Sequence, residues 1–168
     1  MGALLFVFIL YKAYFMKWQE IEQSFAKQFN AKLVSDKYYQ NQDIDAISKL
    51  GKTVSIKHHP TGDRTGNVAF EYYLVNPNNG DKINGNFLYC KAHYHADLIG
   101  GKWYIFEHAK LFEWVCYNKH RYQKRTLSKS AIAGNANWGA EKYRDSEFYL
   151  IPINDIKHLA FLVKDAEL

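Results

Sequence analysis

Between Asp43 and Glu107 the chain is cut into short runs in which polar and apolar residues alternate, each closed by turn-forming residues. Such a pattern commits a chain to sheet, because alternate side chains of a strand point to opposite faces. Asp43-Ile44-Asp45-Ala46-Ile47 alternates, Gly51-Lys52 turns, and Thr53-Val54-Ser55-Ile56-Lys57 alternates again, which predicts a β-hairpin of half-buried strands. Residues 59–66 (HPTGDRTG) read as a loop. Asn67 to Val75, β-branched and aromatic, reads as a third, central strand, and residues 76–85 as a turn-rich connection. Gly100-Gly101 between two apolar runs predicts a second hairpin over residues 95–107.

Helical spacing brackets these strands. Trp18, Ile21, Phe25 and Phe29 recur at three and four, predicting a helix over residues 17–29, with Glu20 and Glu22 near its start. Leu111, Trp114 and Val115 predict another over residues 109–118. Residues 119–129 read as a basic connector, 148–153 as a last strand and 155–163 as a closing helix. The expected architecture is one α/β domain with a central mixed β-sheet flanked by helices. At 168 residues and with 48% apolar residues, the chain can bury a core and is not disordered.

The first fifteen residues stand apart. Gly2 to Phe15 is apolar except for Lys12, and shorter than the roughly 20 residues a membrane-spanning helix needs. No stable membrane insertion is expected. The reading taken is that Met16 is the natural start of a domain spanning residues 16–168, with 1–15 as upstream read-through or a weakly membrane-associating extension. Cys90 and Cys116 are the two cysteines and form no C-x-x-C pair, so neither a disulfide framework nor a structural zinc site is expected, and a reducing, cytoplasmic setting follows. The formal charge of +5 is compatible with a polyanionic partner.

No P-loop, G-x-S-x-G, G-x-G-x-x-G or H-E-x-x-H is present. What remains is Asp45, Lys57 and Glu71 on consecutive predicted strands. Two neighbouring carboxylates repel unless a cation neutralises them, and Mg²⁺ does so while keeping waters and phosphate oxygens in its shell. Asp43 competes with Asp45 for the inward position. His93 and His95 are spaced for one strand face, as a metal-binding pair would be, but without an evident third ligand they read as surface or packed residues. His58 and His59 read as loop residues.

The stretches QDIDAI (residues 42–47), VSIK (54–57) and TGNVAFE (65–71), with weaker echoes at 91–106 and 148–161, resemble the PD-(D/E)xK nuclease superfamily of restriction-endonuclease-like fold. The closer likeness is to phage and bacterial proteins classed as endonucleases. The resemblance implies a Mg²⁺- or Mn²⁺-dependent hydrolase, endonuclease or resolvase-like, acting on phosphodiester bonds of DNA, with a homodimer left open. It implies Asp45 and Glu71 as metal ligands, Lys57 as the catalytic lysine and Glu22 as an accessory acid. On a nuclease the connector cations Lys119, Arg121, Lys124, Arg125 and Lys129 become a DNA-binding track. Ser55 departs from the pattern, standing where the superfamily has Asp or Glu. That keeps a second expectation open, a catalytically inactive DNA-binding module on the same fold. A third, resting on residues 2–15, is a membrane-associated interaction protein.

Overall fold

A computed structural model describes residues 18–128 and 145–168. The apolar stripe at Ile21 and Phe25 forms helix α1 (Trp18–Phe29) and buries against one face of a six-stranded mixed sheet. The strand order is β1 (Lys32–Leu33), β2 (Ala46–Ile47), β3 (Thr53–His58), β6 (Tyr94–Ile99), β7 (Lys102–Glu107), β10 (Ala160–Asp165). Only β3 and β6 run parallel; the other pairs are antiparallel. Val54, Ile56, Ala96, Leu98, Trp103 and Ile105 face α1, and Phe25 meets Trp103 edge-on with centroids 5.0 Å apart.

The helices predicted over 17–29 and 109–118 are present, the first from Trp18, and so are both hairpins. Gly100 and Gly101 both have positive φ, 57° and 72°, as a two-residue hairpin turn of this hand requires. The first hairpin is shorter than expected. Its strand β2 begins only at Ala46, because Asp43 sits in a left-handed turn at φ 56°.

The largest departure is that Asn67 to Val75 is not a central strand of this sheet. As β4 (Asn67–Val75) it joins β5 (Lys82–Asn84), β9 (Asp145–Pro152) and β8 (Gln123–Ser128) in a second, antiparallel sheet of order β5-β4-β9-β8. Alternation specifies a strand but not its partners. A second core lies here, built from Val68, Phe70, Tyr72, Phe87, Leu111, Val115, Ile151 and Ile156, and reaches Ile99 and Phe106 of the first sheet.

Four local readings are corrected with it. Residues 59–66 are not loop: Pro60, pre-set for a first helical position, opens α2 (Pro60–Thr65), which Gly66 closes at φ 71°. A four-residue turn of helix (Lys37–Gln40) precedes the hairpin, and the connection at 76–85 contains β5. The basic connector is a 3₁₀ turn (Lys119–Arg121) followed by β8, after helix α3 (His108–Asn118); Lys129 lies outside the described residues, as does the segment 1–15. The closing helix shrinks to two short turns over 153–159, because Ala160 onward pairs with β7. Among the described residues no helix is long and apolar enough to cross a membrane.

Candidate functional site

The parallel pairing of β3 with β6 sets Ser55 beside His95 and Lys57 beside Asp97. With Val54, Ile56, Ala96 and Leu98 facing α1, these four polar residues occupy the opposite face. The alternation predicts half-buried strands and does not say what covers this face. The structure covers it with the second layer: Phe70 and Phe87 come to 6.2 and 6.0 Å from the His95 ring, centroid to centroid. Ser55, His95 and Asp97 are buried.

Lys57 is the hub. Its ammonium donates to Asp43 Oδ1 at 2.5 Å and lies 3.9 Å from Asp45 Oδ2. The buried Ser55 hydroxyl donates to the other Asp43 oxygen at 2.8 Å, and Ile56 N–H donates to Asp45 Oδ2 at 2.7 Å. The left-handed backbone at Asp43, which Asp tolerates better than most residues, is the local feature from which this carboxylate reaches Lys57 and Ser55. Burial alone would lower the Lys57 pKa, but Asp43 and Asp45 outweigh it and hold the amine above its ordinary range. Burial pushes the Asp45 carboxyl up; Lys57 draws it back and Asp43 adds to the rise. Glu22 on α1 is raised by burial and then by Asp45, so this half-buried acid lies within electrostatic reach of the pair.

Glu71 sits on the other sheet. It lines a cavity of about 100 Å³ with Lys57, Ala69, Phe70, Asn86, Phe87 and His95. Its Oε1 accepts from Asn86 N–H at 3.3 Å and its Oε2 from the Ser146 hydroxyl. Asp45 and Glu71 are therefore not strand neighbours, and Asp45 precedes its strand rather than leaving it.

Beneath the cavity lies a network the sequence did not reveal. Asp97 accepts from His59 Nε2 at 2.5 Å and stands 3.5 Å from His95 Nε2. Ala69 N–H donates to His59 Nδ1 at 3.4 Å, which fixes the proton of that ring on Nε2. Burial works against a charged His95, yet Asp97 carries it up to about 10. Burial would raise Asp97, and His95 and His59 hold it well below the usual carboxylate range instead. Cys90, His95 and His108 cluster with their ligand atoms within 4.8 Å of one another. His93 takes no part: its Nδ1 meets Thr53 at the start of β3. His58 pairs with Asp63 at 3.1 Å and steadies α2.

The basic track is dispersed. Arg121, Lys124 and Arg125 are exposed, with Lys124 3.5 Å from Glu147, whereas Lys119 is half-buried and its ammonium lies 5.1 Å from the Tyr72 ring centroid. Comparison of the chain with family models, curated proteins and solved structures returns no match.

Proposed function

We propose that the chain is a Mg²⁺- or Mn²⁺-dependent endodeoxyribonuclease of the restriction-endonuclease-like kind, a cytoplasmic enzyme that hydrolyses phosphodiester bonds of DNA. The observation that carries this reading is the meeting of Asp43 and Asp45 with Lys57 on one hairpin, with Glu22 in electrostatic reach. Mg²⁺ is satisfied by one or two carboxylates, water and phosphate oxygens. Asp45 is the carboxylate best suited to it, because Asp43 is committed to Lys57 and Ser55, and Glu71 to Asn86 and Ser146. Glu22 supplies the accessory acid, and Glu71 the polar wall of the cavity. When bound, the ion would acidify its water and offset charge developing on phosphorus.

Lys57 works as a fixed cation. Its pKa is raised, so it does not accept the proton of water; it orients the attacking water and steadies the phosphoryl oxygens. Attack makes a P–O bond to the water oxygen, whose proton passes to solvent, and breaks the ester P–O bond, the leaving oxygen being protonated from solvent in turn. Arg121, Lys124 and Arg125 offer contacts to the phosphate backbone.

The test is cleavage of plasmid and oligonucleotide DNA with Mg²⁺ by the wild type, Asp45→Ala and Lys57→Met, with circular dichroism to check folding. Cleavage is expected from the wild type alone; equal cleavage by all three refutes the site. A second reading, an inactive DNA-binding module, is favoured by Ser55, whose hydroxyl is spent on Asp43 where the superfamily carries a metal-binding acid. DNA binding by the wild type without cleavage under either metal selects it.

A further inference from the structure

We infer that Cys90, His95 and His108 form a binding site for one thiophilic divalent ion of the Zn²⁺ class. Three separate elements deliver the ligands. Cys90 follows the short helix Asn86–Tyr89, His95 lies on β6, and His108 opens α3 directly after β7. All three are buried, with 6%, 3% and 8% of their surface exposed, and their ligand atoms lie within 4.8 Å of one another.

The second observation concerns the nitrogens. Nδ1 of His95 and Nδ1 of His108 are both buried and have no hydrogen-bond partner among the described residues. A buried polar nitrogen without a partner carries its full desolvation penalty, and the surroundings offer no relief. Phe70 and Phe87 flank His95, while Phe87 and Phe112 flank His108, with centroids between 5.6 and 6.2 Å. The two imidazole rings are themselves near parallel, 25° apart, with centroids at 5.7 Å. An ion bound by both Nδ1 atoms and by the Cys90 sulfur, in place of the protons those groups carry without it, would satisfy both nitrogens at once.

The outer arrangement agrees. Histidines that bind metal commonly turn their other ring nitrogen to a carboxylate, which fixes the ring. Asp97 stands 3.5 Å from His95 Nε2 and is itself held by His59, leaving Nδ1 for the ion. The donor set selects the ion's class: a thiolate with two imidazoles suits Zn²⁺ or Co²⁺, whereas Mg²⁺ takes oxygen. Three protein ligands leave a fourth position for water or substrate, and His95 also lines the cavity shared by Lys57 and Glu71. None of the carboxylates of the proposed nuclease site belongs to the triad, so the inference stands apart from that reading.

The test is a Co²⁺ titration of the full chain, reduced, stripped with EDTA and desalted. One ion per chain is expected, with a thiolate-to-cobalt charge-transfer band, and Zn²⁺ should abolish the band and raise the melting temperature. Cys116→Ser and Asp45→Asn should keep the band, as should excess Mg²⁺. Cys90→Ser and His108→Gln should each weaken binding by about tenfold or more. A wild-type cobalt complex lacking the thiolate band overturns the inference, and so does a band that disappears with Cys116→Ser. Both of these outcomes are read on the wild type or on Cys116→Ser, so misfolding of the ligand variants cannot mask them.

Discussion

Replacing Lys57 by Met removes one positive charge and keeps most of the side-chain volume, so the change isolates the electrostatic role of this amine. Asp43 is only 8% exposed and loses its 2.5 Å partner, while Asp45 loses a cation at 3.9 Å. Removing one member of a buried ion pair costs about 3–5 kcal/mol, because the remaining charge stays desolvated. Lys57 keeps a fifth of its side chain in solvent, which favours the lower end of that range. For a chain of this size, about 3 kcal/mol corresponds to roughly 6–12 °C in melting temperature. The pH dependence has a definite sign. The Asp45 carboxyl already sits above its ordinary range, and Lys57 is the group drawing it back. Without Lys57 it climbs further, and an acid whose folded pKa is raised loses stability as pH rises through that value. The deficit of Lys57→Met should therefore be full at pH 7 and shrink as pH falls towards about 4. Thermal unfolding in EDTA across this range measures it, with Lys57→Arg as the charge-preserving control. The double variant Asp43→Asn, Lys57→Met should be more stable than Lys57→Met alone. A single variant melting within about 2 °C of the wild type at pH 7 would refute the claim that the pair is desolvated and coupled.

Three further outcomes are expected. Gly62→Ala drives a Cβ into the Asn67 carbonyl oxygen and to 2.9 Å from His59 Cβ, so α2 must shift; about 1–3 kcal/mol should be lost in urea unfolding. Phe25→Ala removes the ring that joins α1 to Trp103 and should cost about 3–5 kcal/mol in the same assay, with a smaller loss counting against α1 as a packed element of the core. If β8 carries the DNA backbone, Lys124→Gln and Arg125→Gln should each lower the slope of log affinity against log salt by about 0.9; an unchanged slope excludes that strand from the interface.

The sequence made the local structure readable where one physical rule governed it. The stripe at Ile21 and Phe25, and the glycine pair at Gly100-Gly101, each specify an element without reference to distant residues. Partnership was harder to read. Asn67 to Val75 alternates as any strand does, and nothing within it announces a second sheet whose other members begin at Lys82, Gln123 and Asp145. The tail shows the same limit: Ile153, Ile156 and Leu159 keep helical spacing, but Ala160 to Asp165 gains more by pairing with the edge of β7. At the site, Asp45 and Lys57 are hairpin neighbours and could be brought together from spacing alone. Asp43 could not be ranked above Asp45, because its approach to Lys57 depends on a left-handed turn that breaks the alternation. Cys90, His95 and His108 fit no spacing motif, since their proximity is made by the β6–β7 hairpin and by the crossover that leads into it. One signal is present in Tyr94-His95-Ala96-Asp97, where polar residues alternate inside an apolar strand. Alternation alone does not separate a solvated polar face from a buried one.

That buried face is where folding and chemistry part. Strands β3 and β6 present Val54, Ile56, Ala96 and Leu98 on one side, which is what packing alone selects: all four are buried against α1 and need no polar partner. On the other side the same strands carry Ser55, Lys57, His95 and Asp97, also covered, and holding them there takes Asp43, Asp45 and His59 as partners. Well-packed apolar residues in place of buried ion pairs are often neutral or stabilising by about 1–4 kcal/mol. Stability therefore gives no reason for the polar face. It still leaves two imidazole nitrogens and an Asp97 oxygen without partners among the described residues, where the face against α1 leaves only Trp103 Nε1, and each such atom carries a desolvation cost. The two faces belong to the same strands and differ only in what they touch, and it is on the polar one that both proposed sites draw their residues.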